Sequence, residues 1–479
     1  MRNYTYSCSA DLNHSFSFAP KAEFMSTKPS LPRGTRDFTP EQMFRRNYII
    51  SKIKTIFERY GFQPLETPSM ENLSVLTGKY GEEGDQLLFK ILNSGDFLSK
   101  ASPEDFTKGS RELTWKIAGK GLRYDLTVPF ARYVVMHQNE ITFPFKRYQI
   151  QPVWRADNPQ KGRYREFYQC DADIIGTNSL VADLEFVWLI HDVFHSLGLE
   201  DFELKINNRK ILTAISQYIG EAGKEGVLCV AIDKLDKIGK DAVIQELLNN
   251  GFESKSCDLL TPILEANGDN QTKMELIRSM IDEIDIGKEG LDEMEFILSK
   301  VRDKEDIKLK LDFDITLARG LSYYTGTIFE VKPTSVKMGS ITGGGRYDDL
   351  TGIFGMKGTS GSGISFGIDR IYDVMLELGL FPESNLSATK VMVTNFDEST
   401  LPFALQTLNS LRTAGIHAEI YPDSAKMKKQ FGYANKKGIP YVAIIGPDEA
   451  EKRLVSLKNM DSGEQDVLSL GEVTKKLIV

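Results

Sequence analysis

The chain has 479 residues, of which 41% are hydrophobic and 26% charged, and its formal net charge is −8. This length predicts two or three domains with cores of their own, and the composition is that of an ordinary globular protein. No apolar run approaches the length of a membrane span, so no membrane association is expected, and an acidic chain supports nucleic-acid binding only where basic residues cluster locally.

The N-terminal segment, residues 1–30, is rich in serine and has no helical or strand pattern, so we expect it to be disordered. It has no apolar stretch of the kind found in secretory signals. A true translation start at Met25 and a transit peptide are two alternative explanations for this segment.

The sequence offers neither a disulfide framework nor a metal-binding pattern. Its cysteines show no CxxC pairing and no secretory context, which predicts reduced thiols and a cytoplasmic protein. His191 and His195 lie four residues apart on an expected helix, but the glutamate of an HExxH site is missing, so no metal site is expected there. The cysteines are Cys8, Cys170, Cys229 and Cys257.

The first clear element is a helix that begins after Thr39. This residue is a preferred N-cap, Pro40 suits the first helical position, and Gln42 completes a capping box. Gly61 ends the helix, and a strand follows that runs into Pro68. Taken alone, the pattern is that of a helix packed on a strand.

Residues 122–129 place an acid close to a hydroxyl. Asp125 and Thr127 are two residues apart, so on a strand or at its end they share one face. Such a pair provides the charge and the hydrogen bonds that a free α-ammonium group needs. On its own the signal is weak.

A long antiparallel hairpin is predicted for residues 145–173, where polar and apolar residues alternate in two runs joined by a polar loop at 156–162. Guanidinium groups bind phosphate oxygens in a planar, bidentate way, and an aromatic ring can stack on a base. An ordinary basic hairpin is the alternative interpretation. The side chains in question, near the tip, are Arg155, Arg163, Arg165 and Phe167.

Beyond the hairpin, the pattern predicts a helix at residues 179–197 and a strand at 201–207. Helical periods then dominate residues 210–308, and strand patterning resumes at 307–314. This order predicts a mostly helical insertion between strands of one sheet. Its charged clusters suit a solvated surface better than a nucleic-acid contact.

Residues 317–330 combine a cation with two tyrosines. The Arg319-Gly320 pair can turn the backbone sharply and aim one charge, and Tyr323 and Tyr324 add ring surface and hydroxyl groups. A tyrosine-rich strand with a structural arginine is the alternative.

Two further glycine-containing stretches follow. The triple glycine at 343–345 allows close approach of a ligand, but it matches neither GxGxxG nor GxxxxGKS/T, so a P-loop or Rossmann site is not predicted. Residues 361–370 have the pattern of a strand leading into a helix, with Arg370 near the electropositive helix start.

After a Pro/Asn/Ser-rich linker, residues 388–479 alternate strands with helices. This order predicts a small α/β domain with a largely parallel sheet. Lysines make the domain locally basic, and a solvated helix face is the simplest interpretation of them. They are Lys426, Lys428, Lys429, Lys436 and Lys437.

Several of these stretches resemble the motifs of class II aminoacyl-tRNA synthetases. The first helix, its strand and Pro68 are similar to motif 1, residues 154–167 to motif 2, and residues 361–370 to motif 3. The resemblance continues motif after motif from about residue 31 to the C-terminus.

Three stretches resemble the histidyl-tRNA synthetase family in particular. They are YREFYQCDAD in the hairpin, RGLSYYTG from Arg319, and GGGRYDDL from Gly343. Ser322 stands where aspartate is common in the family, which removes a charge near the pocket.

The resemblance implies an α/β fold class. An α+β catalytic domain at 31–387, with an antiparallel sheet flanked by helices, would contain the helical insertion at about 210–308, and an anticodon-binding domain would occupy 388–479. The implied activity is ATP-dependent conversion of L-histidine to histidyl-adenylate and its transfer to tRNA(His), with release of pyrophosphate and AMP. Mg²⁺ would bridge the phosphates, and motif 1 implies a homodimer.

The resemblance also implies roles for individual residues. Arg155 binds the α-phosphate and the amino-acid carboxylate, and Arg319 approaches the same phosphate from the other side. The histidine-binding set is Asp125, Thr127, Arg155, Gln169, Asp173, Arg319, Tyr323 and Tyr324, with the tyrosines on the imidazole and Asp173 as the main counter-charge of the ammonium group. The ATP-binding set is Arg155, Arg163, Arg165, Phe167 and Arg370.

Two other classes of function remain open from the sequence. A paralogue of the same fold, such as a regulatory subunit of ATP phosphoribosyltransferase, binds histidine without charging tRNA, but such proteins lack the C-terminal domain and lose the ATP arginines. An RNA-binding or sensor module would not need three arginines together with an amino-acid pocket. Asn158 and Gln160 are candidate contacts for the acceptor end of tRNA.

Overall fold

This computed structural model describes residues 28–302, 309–318, 323–382 and 389–478. Several sequence predictions lie outside these residues: the disorder of the first 27 residues, the alternative start at Met25, the role of Arg319, the substitution at Ser322, and most of the linker.

The strands form three sheets in the described part of the chain. The strands are β1 (Gln63–Pro64), β2 (Met70–Asn72), β3 (Lys90–Ile91), β4 (Lys120–Leu122), β5 (Phe145–Trp154), β6 (Glu166–Ile175), β7 (Phe202–Asn208), β8 (Lys310–Phe313), β9 (Thr327–Pro333), β10 (Thr342–Tyr347), β11 (Gly361–Gly367), β12 (Val391–Val393), β13 (Ala418–Ile420), β14 (Tyr441–Ile444), β15 (Leu454–Asn459) and β16 (Gln465–Ser469).

Helices surround these sheets, and no described helix has both the length and the apolar character needed to cross a membrane. A short 3-10 helix lies at Thr351–Phe354. The α-helices are α1 (Pro40–Arg59), α2 (Leu73–Leu76), α3 (Gly81–Gln86), α4 (Pro103–Thr107), α5 (Ser110–Ile117), α6 (Thr127–Met136), α7 (Leu180–Ser196), α8 (Arg209–Tyr218), α9 (Glu225–Ile232), α10 (Leu235–Ile238), α11 (Lys240–Asn249), α12 (Ser254–Leu264), α13 (Asn270–Ile281), α14 (Asp285–Arg302), α15 (Ile368–Glu377), α16 (Leu401–Thr413), α17 (Met427–Lys436), α18 (Pro447–Lys452) and α19 (Leu470–Ile478).

The largest sheet has eight strands in the order β1-β5-β6-β11-β10-β9-β7-β8. Its two outermost pairs are parallel, and all pairs between them are antiparallel. Helices α1, α7 and α15 pack together beside this sheet. The predicted fold class, with an antiparallel sheet flanked by helices, is therefore confirmed.

The predicted hairpin is present as β5 and β6, but the return strand begins at Glu166, later than expected. The loop therefore spans residues 155–165 and is longer than the predicted 156–162. The reason is a tertiary contact, because the Arg165 amide donates to the Gly34 carbonyl over 2.9 Å. We call residues 155–165 the motif 2 loop.

The polar–apolar alternation of β5 is typical of a strand with one exposed polar face, but the structure differs. Arg147 and Gln149 are fully buried, although both lie on that polar face. The Gln149 amide donates to Thr67 Oγ1 over 2.9 Å, and Arg123 Nη1 donates to Gln151 Oε1 over 2.9 Å. The polar face is therefore covered by other polar groups of the protein, which alternation alone does not reveal.

Helix α1 begins as predicted. The Thr39 hydroxyl accepts from the Gln42 amide, and the Gln42 side chain accepts from the Thr39 amide, which completes the capping box. The following strand is shorter than predicted, because only Gln63–Pro64 pairs with β5.

The insertion is mostly helical, as predicted, and consists of α8 to α14 between β7 and β8. The described residues of the insertion do not form a separate core. One hydrophobic cluster runs from Ile49 in α1 to Met375 in α15 and includes Leu228, Leu260 and Ile297 of the insertion. The insertion is therefore packed directly onto the large sheet and its helices.

The C-terminal sheet has the order β13-β12-β14-β15-β16. The first three strands are parallel, but β14, β15 and β16 pair antiparallel, so the predicted largely parallel sheet is a mixed one. Strands β15 and β16 form a hairpin, and strands joined by a tight turn must run in opposite directions. The hydrophobic clusters here contain only residues between 391 and 477.

Candidate active site

A cavity of about 800 Å³ lies above the large sheet. Strands β6, β10 and β11, the motif 2 loop, the start of α15 and α9 of the insertion contribute to its wall. Of the predicted site residues, the cavity brings together Arg155, Arg163, Phe167, Gln169 and Arg370.

Arg155 lies at the start of the motif 2 loop and is held by the protein on two sides. Its Nε donates to the Tyr124 carbonyl over 3.1 Å. Its guanidinium carbon lies 4.2 Å from the centre of the Tyr124 ring and 5.2 Å from that of Phe167. These contacts fix the plane of a cation at the cavity wall.

The two other arginines of the motif 2 loop differ from each other. Arg163 lines the cavity, is about half exposed, and lies 3.6 Å from a carboxylate oxygen of Asp157. Arg165 is not among the lining residues, and its Nε donates to the Asp157 carbonyl over 3.0 Å. The structure therefore places Arg163, but not Arg165, where a ligand in the cavity would meet it.

Arg370 lies in the first turn of α15 and faces the motif 2 loop. Its Nε donates to the Gly162 carbonyl over 2.8 Å, and its Nη1 donates to the Ser340 carbonyl. Phe167 lines the same cavity. A flat aromatic ring and a flat guanidinium group thus border one space, as the sandwiching of a base requires.

A second group of predicted residues lies behind the cavity wall. The Asp125 carboxylate accepts from Tyr80 over 3.1 Å, from Tyr323 over 3.4 Å and from the Val128 amide over 3.1 Å. Burial raises the pKa of Asp125, while these hydrogen bonds and the nearby Arg155 lower it. Tyr80 lines the cavity and connects this group to it.

The predicted strand around Asp125 is wrong, because Thr127 is the first residue of helix α6. Asp125 instead caps the first turn of this helix through the Val128 amide. The expected proximity nevertheless holds, since Thr127 lies close enough to influence the pKa of Tyr323, whose hydroxyl donates to Asp125.

The tyrosine pair packs edge to face, with the Tyr323 and Tyr324 ring centres 4.9 Å apart. Tyr347 meets Tyr323 in the same way at 6.1 Å. Burial raises the pKa of all three hydroxyl groups, so they stay protonated at neutral pH and can donate hydrogen bonds.

Asp173 is paired deep in the sheet. One carboxylate oxygen lies 2.8 Å from Arg147 Nη2, and the other accepts from the Tyr347 hydroxyl over 2.7 Å. Burial raises the pKa of Asp173, and Arg147 opposes that effect. Asp173 is not among the residues that line the cavity, so its predicted contact with an ammonium group stays a prediction.

Gln169, Asp171 and Asp173 alternate along β6 and so share one face of the sheet. Gln169 donates to Ser365 Oγ over 2.7 Å. Among the described residues, the side-chain oxygen Oε1 of Gln169 and Asp171 Oδ1 are buried without a hydrogen-bond donor. Two buried acceptors on one face favour a ligand that carries donors.

Asp171 is a residue that the sequence interpretation missed. Burial raises its pKa to about 7, although the Arg147 guanidinium lowers it. The signal was present in the sequence, because Asp171 falls between two predicted site residues in the same period-two alternation.

The triple glycine lies in β10 between β9 and β11. A Cβ on Gly344 would lie 2.1 Å from the Gly363 carbonyl oxygen, so the neighbouring strand requires glycine there. Gly343 lines the cavity, and a Cβ there would meet only the Phe329 carbonyl oxygen at 3.5 Å. Gly343 and Gly344 therefore serve different purposes.

The insertion contributes a wall that no motif indicates. Residues Cys229, Val230 and Asp233, in and just after α9, line the cavity opposite the motif 2 loop, and Arg209 Nη1 lies 3.2 Å from Cys229 Sγ. This proximity arises only from the packing of the insertion.

Guanidinium groups lie at one end of the site, and carboxylate and hydroxyl groups lie at the other end. Arg155, Arg163 and Arg370 can bind a polyanion, and the group around Asp125 can bind a cationic ligand. Arg155 contacts Tyr124, the residue before Asp125, so the two ends meet there. Such a site can bring an anionic nucleotide and an amino acid together.

Two family models match the chain. The model described as Histidyl-tRNA synthetase covers residues 116–371, and the model described as Anticodon binding domain covers residues 390–479.

Curated relatives are similar over nearly the whole chain. The histidine–tRNA ligase of Cytophaga hutchinsonii is 55% identical across 94% of this chain and 100% of its own length. The histidine–tRNA ligase of Christiangramia forsetii is 54% identical across 95% of this chain and 100% of its own length.

Solved structures share the fold. A crystal structure of histidyl-tRNA synthetase from Nostoc sp. PCC 7120 matches with a TM-score of 0.79 and 30% identity, and it covers 94% of this chain and 99% of that one. A Bacillus halodurans protein described as an ATP phosphoribosyltransferase regulatory subunit/histidyl-tRNA synthetase matches with a TM-score of 0.66. The identity in that pair is 21%, with 86% and 97% of the two chains covered, so it shows the fold alone.

Proposed function

Because the chain belongs to the histidyl-tRNA synthetase family, we propose how its own residues activate L-histidine with ATP and transfer it to tRNA(His). The activity is that of a class II aminoacyl-tRNA synthetase. The observation that carries the proposal is the convergence of Arg155, Arg163, Phe167 and Arg370 on one cavity beside the Asp125 group.

In the first step, the histidine carboxylate attacks the α-phosphorus of ATP, and pyrophosphate leaves as histidyl-adenylate forms. Two anions must approach each other, so fixed cations supply most of the stabilisation. We assign Arg155 to the α-phosphate and the carboxylate. Arg319, which lies outside the described residues, is assigned to the opposite side of that phosphate by resemblance to the family.

The remaining cations and the aromatic ring would bind the rest of ATP. Arg163 and Arg370 are assigned to the outer phosphates, and Phe167 and Arg370 to the two faces of adenine. The common cavity of these three residues supports the assignment. Arg165, tied to the Asp157 carbonyl, is assigned to the support of the motif 2 loop.

Histidine would be bound through both of its ends. Asp125, Thr127, Gln169 and Asp173 are assigned to the ammonium group, and Tyr323 and Tyr324 to the imidazole. A polar ring leaves site groups unpaired when an apolar competitor binds, and this is the basis of discrimination. The partly buried tyrosines, whose raised pKa keeps their hydroxyl groups protonated, and the acceptor oxygens on β6 support the assignment.

Mg²⁺ belongs to the proposal together with ATP. Magnesium keeps several waters and binds through substrate phosphates with one or two carboxylates. Asp157 and Asp233 line the cavity and supply carboxylates of the right kind, so the residues present fit the ion. When bound, the ion would neutralise phosphate charge, in addition to the arginines.

In the second step, a terminal ribose hydroxyl of tRNA(His) takes the histidyl group, and AMP leaves. The exposed residues Asn158 and Gln160 of the motif 2 loop are proposed contacts for the acceptor end. We propose that residues 388–479 bind the anticodon. The support is a row of exposed lysines on and beside α17: Lys426, Lys428, Lys429, Lys436 and Lys437.

The division into a catalytic domain at 31–387 and an anticodon-binding domain at 388–479 is likewise proposed, as are a homodimer and a cytoplasmic location. Separate hydrophobic clusters on the two sides of residue 388 support the division. The unpaired, buried thiols of Cys170, Cys229 and Cys257 suit a reducing compartment. Motif 1 supports the homodimer by resemblance alone.

A regulatory, non-charging role is not favoured. The two curated relatives described above match over nearly the whole chain and are histidine–tRNA ligases, and the cavity arginines are in place.

Aminoacylation tests the full function. Purified protein, ATP, Mg²⁺ and labelled histidine are incubated with unfractionated tRNA, and the charged species is sequenced. Charging confined to tRNA(His) is the expected result. Charging of a different tRNA would contradict the proposed tRNA specificity. So would the absence of any charging by folded protein that still activates histidine.

A further inference from the structure

Residues 34–36, which we call the N-terminal strap, lie directly against the motif 2 loop. The Gly34 carbonyl accepts from the Arg165 amide over 2.9 Å. Gly34 has a φ of +87°, and a Cβ there would lie 2.8 Å from Pro159 Cγ and 2.9 Å from Arg165 Cγ. Only glycine therefore permits this backbone conformation at this distance from the loop.

Arg36 connects the strap to two parts of the proposed ATP site. Its guanidinium carbon lies 3.3 Å from the centre of the Tyr164 ring. Tyr164 directly follows Arg163 in the sequence. Arg36 Nη2 donates to Asp369 Oδ1 over 2.5 Å, and Asp369 directly precedes Arg370 in α15. One side chain thus contacts the neighbours of both arginines assigned to the outer phosphates.

Asp369 does not need Arg36 as its counter-charge. Arg46, which is buried, donates to the same oxygen of Asp369. The Tyr168 amide donates to the other oxygen over 3.3 Å. Arg36 is more exposed than Arg46, with 28% of its side chain accessible, so it adds a second cation beside a carboxylate that is already paired. A purely structural need for Arg36 is therefore weak.

The motif 2 loop is held from the other side by Arg370, whose Nε donates to the Gly162 carbonyl over 2.8 Å. We propose that Arg36 is a positioning residue for ATP: through Tyr164 and Asp369 it fixes the motif 2 loop relative to α15, and thereby Arg163 relative to Arg370. The inference rests on the proposed assignment of those two arginines to ATP.

The proposal predicts an effect on ATP that histidine does not share. The contacts of Arg36 lead to the motif 2 loop and α15, whereas the Asp125 group is held by Tyr80, Tyr323 and α6. A small misplacement of binding groups can cost up to about 100-fold in rate. Loss of Arg36 should therefore weaken ATP binding while the KM for histidine stays the same.

The test compares Arg36→Ala with Arg33→Ala in the full chain. Arg33 is exposed and lies in the same segment, so the control removes the same charge without the contacts to Tyr164 and Asp369. Titration calorimetry with ATP and Mg²⁺ gives the affinity, and histidine-dependent pyrophosphate exchange gives KM for each substrate. We expect Arg36→Ala to lower kcat/KM for ATP roughly 10- to 100-fold, with Arg33→Ala near wild type.

Arg36→Lys separates positioning from folding. Lysine keeps a charge for Asp369 but lacks the flat face that stacks on Tyr164. Arg36→Lys should have the thermal midpoint of the wild type, but its affinity for ATP should be lower than that of the wild type. If Arg36→Ala does not fold, the ATP affinity of Arg36→Lys tests the positioning role instead. A wild-type affinity in folded Arg36→Lys would then contradict that role.

Equal ATP affinity in Arg36→Ala and Arg33→Ala, or a parallel rise of KM for ATP and histidine, would overturn the positioning role. Absence of histidine-dependent exchange in the wild type would instead overturn the proposed function, and the calorimetric comparison would still decide the role of Arg36.

Discussion

Arg155 has one nitrogen engaged by the Tyr124 carbonyl and one face on the Tyr124 ring. Its remaining N–H groups are directed by these contacts, so the cation is oriented by the protein itself. A transition state that gathers negative charge gains most from donors whose orientation is already set.

The first prediction concerns Arg155→Lys. Lysine retains the charge but cannot hold the Tyr124 carbonyl and present a planar pair of donors at the same time. Histidine-dependent pyrophosphate exchange should fall at least about 100-fold in kcat, the usual cost of losing a transition-state donor. Arg59→Lys, on the exposed end of α1, is the matched control. Near-normal exchange in Arg155→Lys would remove Arg155 from the proposed chemistry.

Asp171 carries a proton over a wider pH range in the folded chain than in the unfolded one. Burial raises its pKa to about 7, from an ordinary value near 3.8. Between these two values the unfolded chain releases the proton while the folded chain keeps it, so this group makes stability fall as pH rises. Above about pH 7 both states are ionised and the effect levels off.

The second prediction follows for Asp171→Asn, which cannot ionise. The thermal midpoint of the variant relative to the wild type should rise from about pH 4 to about pH 7 and then become constant. Over this pH range, the unfolding free energy of the variant relative to the wild type should change by at most about 4 kcal/mol, since one pKa unit is worth about 1.4 kcal/mol. Calorimetric scans at several pH values measure it. A difference that does not change with pH would show that Asp171 ionises normally.

At the scale of elements, two of the three glycines in strand β10 have different constraints. Gly344 is confined by the backbone of β11, whereas Gly343 borders the cavity. A run of three glycines in the sequence suggests close approach of a ligand, yet the structure shows that Gly344 accommodates a neighbouring strand.

The third prediction compares alanine at these two positions. Gly344→Ala should destabilise the protein by about 1–3 kcal/mol or more, because its methyl group overlaps the Gly363 carbonyl. Gly343→Ala should keep the wild-type thermal midpoint and lower kcat/KM by narrowing the cavity. Thermal unfolding and exchange assays check both. Equal destabilisation by the two variants would refute the distinction.

Elements whose signals are local were predictable from the sequence. The capping box of α1, the start of α7 at Ser179 and the strand-to-helix step into α15 follow from neighbouring residues. The length of the motif 2 loop was not predictable. Strand β6 begins late because Arg165 is hydrogen-bonded to Gly34, which is far away in the sequence. Arg36 and Asp369 are 333 residues apart, and no periodicity reveals such a pair.

In the candidate active site, too, contacts between residues far apart in the sequence were not predictable. Period-two alternation predicts that Gln169 and Asp173 share a face, but it does not show that Arg147 and Tyr347 pair with Asp173. The wall formed by α9 depends on how the insertion packs, which the sequence pattern does not specify.

At the scale of the whole molecule, the insertion and the large sheet share a hydrophobic core, and the C-terminal residues have their own. Removal of the insertion would therefore expose core residues, whereas removal of the C-terminal part would leave the core around the large sheet complete. Activation of histidine and selection of tRNA should be separable on this basis.

The fourth prediction is that deletion of residues 388–479 spares histidine-dependent exchange and abolishes selective charging of tRNA(His). The cavity residues all lie before residue 371, and the exposed lysine row lies in the deleted part. Exchange and aminoacylation assays on the truncated and the full chain measure the two steps. Selective charging by the truncated chain would contradict the anticodon role.

Amino-acid-dependent exchange of pyrophosphate into ATP, run separately with each of the twenty amino acids, tests the central claim most directly. It reports adenylate formation without requiring tRNA. Exchange with histidine alone is the predicted result, and it would support both the arginine cavity and the tyrosine pair. Exchange with a different amino acid would contradict the assignment of Tyr323 and Tyr324, and no exchange by folded protein would contradict the proposed catalysis.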